Sequence, residues 1–270
     1  MDKAPFVALT IAGSDSGGGA GIQADLKTFA AHGVFGTSVV TAVTAQNTLG
    51  VTGVEEVSAG LVGLQIDAVV TDIGVDALKT GMLSSRSIIE TVVARLEEHG
   101  IEKIVVDPVM VAKSGDRLLE EAAVEALTAR LLPHALVVTP NVPEAEAMVG
   151  FACEDQDSRK RAAERLVEMG AKAALVKGGH GRGDEAVDWL YHNGRFRSYR
   201  ARRVMSPNTH GTGCTFSAAI AAQLARGRDL ETAVEVAKGY LTAALASGVP
   251  IGRGHGPVDH FVGCSLREIP

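Results

Sequence analysis

Five short, unbroken apolar runs, at residues 6–12, 38–44, 103–107, 136–139 and 173–176, constrain this chain more than any other feature. Continuous rather than alternating apolar residues are what a strand buried on both faces of a parallel sheet requires. Between the runs lie stretches with helical spacing at 21–32, 84–99, 118–130, 158–169, 212–226 and 230–247, the fifth closed by Gly227. The segment 187–199, with Asn193-Gly194 at its centre, carries a hairpin signal. This order predicts a three-layer, doubly wound α/β fold, its mostly parallel central sheet covered by helices on both faces. With 46% hydrophobic but only 4% aromatic residues, the core must be built from Ala, Val, Leu and Ile. No linker or repeat divides the 270 residues, so one domain over 1–270 is expected.

The formal net charge of -6 argues against nucleic acid or an anionic membrane as partner. Cys153, Cys214 and Cys264 are odd in number and far apart, which speaks against a disulfide framework and for a reducing cytoplasm. The N-terminus enters its first apolar run without a basic leader, and no run reaches the roughly 18 residues of a membrane span.

Chemistry concentrates where the predicted strands end. In the octet from Asn208 to Thr215, Gly211 and Gly213 allow a tight bend and close ligand approach just before a helix. The unpaired N–H groups and positive dipole end of that helix suit a phosphate or a developing anion, and Cys214 in that field would ionise more easily. The plain alternative is a turn before a core helix, with Cys214 a small buried residue. The first strand runs into Gly13-Ser14-Asp15-Ser16-Gly17-Gly18-Gly19-Ala20-Gly21, where the spacing fits neither a dinucleotide fingerprint nor a Walker loop. Such a turn can close over a small substrate, with Asp15 or Asp25 reading a polar edge; a surface loop is the alternative. Asp107 ends another strand, and Lys177-Gly178-Gly179-His180 ends a third. Between these, Asn141 and Glu144 flank Pro143 at a helix start, as oxygen ligands for Mg²⁺ or simply as its cap. An anion-binding turn, metal ligands and a phosphate-steering lysine form a phosphoryl-transfer set.

These motifs, in this order, together with Gln23-Ala24-Asp25, Thr44-Ala45-Gln46-Asn47-Thr48, Lys79-Thr80-Gly81-Met82-Leu83 and Asp107-Pro108-Val109-Met110, closely resemble the hydroxymethylpyrimidine/phosphomethylpyrimidine kinases of thiamine biosynthesis, within the ribokinase-like superfamily. The resemblance spans essentially the whole chain. It implies that ATP phosphorylates 4-amino-5-hydroxymethyl-2-methylpyrimidine and then its monophosphate, in a homodimeric enzyme. It also implies that Gly13, Asp25, Thr44, Gln46, Met82 and Val109 bind the pyrimidine. Asp107, Asn141, Glu144, Lys177 and Thr212 would handle Mg²⁺ and the ATP phosphates. Backbone groups of Gly211, Gly213 and Cys214 would stabilise the transferring phosphoryl. Thr44 stands where relatives carry Val, and Ser16 where Pro is common. Many wider relatives place an aspartate base where this chain has Cys214, which a helix N-terminus could activate as a thiolate. His210 is expected to be structural, and the loop at 113–117 is a candidate lid. Two rivals stand beside this reading: a pyridoxal kinase, and a non-catalytic sensor of the precursor.

Overall fold

The computed structural model describes residues 5–110, 121–179 and 183–264. The loop at 113–117, the first residues of the 118–130 helix and His180 lie outside the described residues.

Strands β1 (Val7–Asp15), β2 (Phe35–Gln46), β3 (Val51–Glu56), β4 (Ala77–Thr80), β5 (Ile104–Val106), β6 (Val137–Val138), β7 (Ala173–Val176), β8 (Glu185–His192) and β9 (Arg195–Arg202) form one sheet in the order β3-β2-β1-β4-β5-β6-β7-β8-β9. The six strands from β2 to β7 pair in parallel. The three pairings at the edges, β2 with β3, β7 with β8 and β8 with β9, are antiparallel. The expected doubly wound sheet is thus present, flanked by two antiparallel margins. Asn193 and Gly194 both adopt positive φ, the turn geometry that joins β8 to β9.

Helices α1 (Gly21–Ala31), α7 (Thr212–Ala225) and α8 (Leu230–Ala246) cover one face of the sheet. Helices α2 (Ala59–Asp72), α3 (Arg86–His99), α4 (Glu121–Ala126), α5 (Val142–Val149) and α6 (Gln156–Glu168) cover the other. Alternate residues of β1 divide between the layers, Leu9 and Ile11 facing the second and Ala8 the first. Helix α7 is hemmed in almost all round: residues 215–225 are all buried. That suits its Ala-rich composition, because small side chains let a central helix lie close to β1, β4 and β5.

Three elements had no counterpart among the sequence expectations: the edge strand β3, helix α2 and strand β4. Helix α2 is apolar and carries two glycines, without a clear polar face; its start is set by Ser58, whose hydroxyl accepts from the Leu61 N–H. Strand β4 has Lys79 in its middle, which breaks the apolar run although all four residues are buried. Helix α4 passes into a π-helical turn over Leu127–Leu131 instead of continuing regularly to 130.

Sequence-adjacent β1 and β2 pair on one side, whereas the chain returns to place β4 on the other side of β1. A crevice opens beyond the carboxyl ends of the strands where such a sheet reverses its winding. The ends of β1, β2, β4, β5, β6 and β7 deliver Asp15, Gln46, Gly81, Asp107, Asn141 and Lys177 to that side.

Candidate active site

A cavity of about 670 Å³ lies along these strand ends. Gly13, Thr44, Gln46, Met82 and Val109 line one part of it, and Asp107, Asn141, Glu144, Lys177 and the turn from Gly211 to Cys214 line another. The structure therefore brings together every substrate-, phosphate- and metal-binding residue implied by the resemblance except Asp25. That carboxylate is fully buried beneath the site, where Oδ2 accepts from Lys79 Nζ at 2.9 Å and from Thr10 Oγ1 at 2.6 Å. Asp25 is thus not a pyrimidine-binding residue but the counter-ion of a lysine. A charge taken fully out of water needs a partner, and the substrate is not the one it has.

The apolar wall is built by Met82 and Val109, with the polar edge supplied by Thr44 and Gln46. The Thr44 hydroxyl lies 2.9 Å from Ser14 O and 3.1 Å from Gln46 Oε1, so it braces both the glycine turn and the glutamine. A Cβ on Gly13 would meet the terminal methyl of Met82, so the glycine lets that side chain lie against the first turn.

The charged end is organised around Asp107. Its Oδ1 accepts from Lys177 Nζ at 2.9 Å and from Thr139 Oγ1 at 3.3 Å, and its Oδ2 accepts from Ser217 Oγ at 3.1 Å. Burial alone would raise the Asp107 pKa, but Lys177 and Lys79 outweigh it and hold the carboxyl below its ordinary value. Burial likewise works against the Lys177 ammonium, yet Asp107 and Glu144 keep it above its usual range. Lys79 behaves in the same way: Asp25 and Asp107 overcome its burial and favour the charged form. A Cβ added at Gly213 would lie 3.5 Å from Lys177 Nζ and 3.8 Å from Asp107 Oδ2, beside the Lys177–Asp107 pair.

Asn141 and Glu144 form a capping box at the start of α5. Asn141 Oδ1 accepts from Glu144 N at 2.9 Å, and Glu144 Oε2 accepts from Asn141 N at 2.7 Å. The capping alternative is present, and both residues also border the cavity. Burial pushes the Glu144 carboxyl up to about 7, moderated by Lys177 and reinforced by Asp107.

The thiolate expectation for Cys214 is overturned. Burial pushes the thiol up to about 11, and the Lys79 ammonium does not compensate. The backbone hydrogen bond with Gly21 also lowers it but does not offset burial, so the neutral thiol is favoured at neutral pH, with the side chain half-buried on the cavity wall. Asp15, which also borders the cavity, braces its own turn: its oxygens accept from the Gly17, Gly19 and Ala20 N–H groups and pair with His210.

Sequence reasoning assigned no role to Lys79, Asp188 or Lys238, all of which border the cavity. Asp188 on β8 accepts from Gly178 N at 2.8 Å and from Lys238 Nζ at 2.7 Å, fixing the backbone just after Lys177. The available signal was an acidic residue inside an apolar strand and a lysine on the buried stripe of α8.

A doubly wound sheet with a glycine-opened helix, a paired lysine and two carboxylates around one cleft defines an α/β small-molecule kinase of the ribokinase-like class. The family model for phosphomethylpyrimidine kinase matches residues 15–259. The hydroxymethylpyrimidine/phosphomethylpyrimidine kinase of Rhizobium meliloti is 55% identical over 258 residues, covering 94% of this chain and 97% of the relative. The thiamine biosynthesis bifunctional protein ThiED of Geobacter sulfurreducens is 51% identical over 96% of this chain, which spans only 54% of that longer protein. An ADP complex of Bacillus subtilis pyridoxal kinase superposes with a TM-score of 0.90 at 37% identity, covering 96% of this chain and 98% of that one. The chain belongs to the phosphomethylpyrimidine kinase family.

Proposed function

We propose that this protein uses ATP to phosphorylate 4-amino-5-hydroxymethyl-2-methylpyrimidine and then its monophosphate, yielding the diphosphate used in thiamine biosynthesis. The observation that carries the reading is one cavity holding an apolar wall with an amide edge at one end and the Lys177–Asp107 pair beside a helix N-terminus at the other. Gln46 can donate to and accept from an aminopyrimidine edge, while Met82 and Val109 cover its faces.

Helix α7 follows Gly211, which sits at φ +76°; the Thr212 N–H donates to Thr209 O at 3.4 Å, whereas the N–H groups of Gly213 and Cys214 have no backbone carbonyl one turn earlier. They would receive the charge spread over the transferring phosphoryl, with Lys177 Nζ offering a cation at the same place. Asp107 orients Lys177 and keeps it protonated. A Mg²⁺ ion would neutralise phosphate charge, with Glu144, Asp107 and Asn141 holding it largely through its water shell. The donor set fits that role, since both carboxylates and the amide border the cavity without forming a closed cage. With a loose transition state, positioning and electrostatics carry the step and little base assistance is needed. The neutral Cys214 thiol then serves as wall and hydrogen-bonding group.

Three unpaired cysteines fit a reducing, cytoplasmic setting, and among the described residues no helix is long and apolar enough to cross a membrane. A homodimer is consistent with the exposed Phe35, Val43 and Val54 near the β2–β3 edge, and size-exclusion chromatography with light scattering tests it.

The test of function is ADP release with hydroxymethylpyrimidine, its monophosphate and pyridoxal in parallel. Turnover of both pyrimidines is expected. The close structural likeness to a pyridoxal kinase keeps vitamin B6 phosphorylation as the second reading, and turnover of pyridoxal alone would move the protein there.

A further inference from the structure

The two glycine turns of the cavity are joined by a buried side-chain pair. Asp15 Oδ1 accepts from Gly17 N at 2.8 Å, while Oδ2 accepts from Gly19 N at 3.1 Å and Ala20 N at 2.8 Å. The same Oδ2 lies 2.8 Å from Nε2 of His210, 195 residues further along. Asp15 is 2% and His210 8% exposed. Burial opposes the charge on Asp15, but the hydrogen bonds from His210 and Ala20 hold its pKa below the ordinary value. An ionised carboxylate only accepts, so Nε2 of His210 carries the proton and donates it.

His210 immediately precedes Gly211, the residue that opens α7. The backbones meet too: a Cβ on Gly211 would collide with Gly19 O, and a Cβ on Gly19 with the His210 ring. On its other side the Asp15 turn is tied to the pyrimidine-side wall. Thr44 Oγ1 donates to Ser14 O at 2.9 Å, and Ser16 Oγ donates to Gln46 O at 2.7 Å. A continuous chain of hydrogen bonds therefore runs from Gln46 through the glycine turn and Asp15 to His210 and the anion-binding turn.

We propose that Asp15 and His210 form a positioning pair for phosphoryl transfer, clamping the acceptor-side glycine turn against the N-terminus of α7. The inference rests on the kinase reading of the cavity. Neither residue needs to touch the reacting atoms; they act by fixing the separation between the acceptor pocket and the Gly211–Cys214 backbone. Transfer between two bound reactants is sensitive to such spacing, because an error of about 1 Å can cost roughly 100-fold in rate.

The test compares His210→Ala, His210→Gln and Asp15→Asn, using steady-state kinetics and amide hydrogen exchange of the ligand-free protein. The alanine variant is expected to lose roughly 10- to 100-fold in kcat, with KM for the pyrimidine changed by less than about threefold. Glutamine can present an N–H near the former Nε2 and should recover most of the loss. Asp15→Asn places an amide N–H among donors and should behave like the alanine variant, which also covers the case in which His210→Ala does not fold. Exchange should rise at Gly19, Ala20 and residues 211–215 while the central strands stay protected. Unchanged protection at those amides overturns the clamp, with or without turnover of any substrate. So does unchanged kcat in an active His210→Ala protein, or a glutamine variant no better than alanine. Wild-type protein that turns over neither pyrimidine sinks the kinase reading instead, and the exchange data still decide the clamp.

Discussion

Cys214 and Lys79 are neighbours whose chemistry is set by burial acting on opposite charge types. The thiol would have to gain a charge to act as a base, and with its pKa near 11 it stays neutral. General-base contributions are typically 10²- to 10⁴-fold. Cys214→Ser is therefore expected to lower kcat by less than about tenfold, and the kcat–pH profile should keep its shape; a loss of about 100-fold or more would restore the thiolate base. Lys79 is charged because Asp25 lies 2.9 Å away with both side chains fully buried. Lys79→Met leaves that carboxylate with Thr10 alone and should cost roughly 3–5 kcal/mol in denaturant unfolding. Replacing Asp25 by Asn in the same protein should return part of the loss. Equal stability of the single variant and wild type would show that Asp25 is protonated in the folded protein.

Element boundaries carry as much of the site as the side chains do. Gly211 sits at φ +76° where a Cβ would meet Gly19 O. Gly211→Ala should lose about 1–3 kcal/mol of stability and about 100-fold in kcat, by calorimetry and initial rates. The helices that flank this turn have their own pH dependence. His32, at the end of α1, packs edge-on against Tyr240 of α8 at 4.5 Å, and its Nδ1 lies 2.9 Å from Gln223 Nε2 of α7. Burial, with Arg226 facing it, lowers the His32 pKa to about 4. Burial lowers His260 to about 4 as well, in a setting that includes Lys27, Asp259 and His210. Both imidazoles bind a proton in the unfolded chain near pH 6.5 but resist it when folded, so the unfolded state holds more protons between about pH 6.5 and 4. Their contribution is full above pH 6.5 and is lost as pH falls through that window. Tm should drop there, and His32→Asn should flatten the slope; an unaltered slope would exclude His32 as a source.

Strand ends were the legible part of the candidate site. Asp107, Asn141 and Lys177 each follow an apolar run, so their convergence follows from parallel-sheet geometry alone. Lys79 was not legible in that way, because a lysine inside β4 breaks the very pattern that reveals a strand, and only its pairing with Asp25 in space makes it tolerable. Asp25 was misread for the same reason: an acidic residue near a glycine turn faces substrate or core according to side-chain direction, which sequence does not give. The edge strand β3 is largely exposed and has no apolar run to betray it. The thiol state of Cys214 depends on desolvation, a property of the packed molecule.

At the scale of the whole molecule, the parallel centre of the sheet and its antiparallel margins divide the labour. The six parallel strands aim their carboxyl ends at one crevice, and the β8–β9 hairpin extends the sheet so that Asp188 can hold the Lys177–Gly178 backbone. The central claim is that this single crevice transfers phosphate to a pyrimidine, with Lys177 at the phosphoryl. The most direct measurement is conversion of the pyrimidine monophosphate to its diphosphate by wild type and Lys177→Met side by side, with circular dichroism to verify folding. The account predicts diphosphate from wild type and a folded variant slower by about 100-fold or more, the scale on which a transition-state charge contact acts. Equal rates in the two proteins, or no diphosphate from wild type, would contradict it.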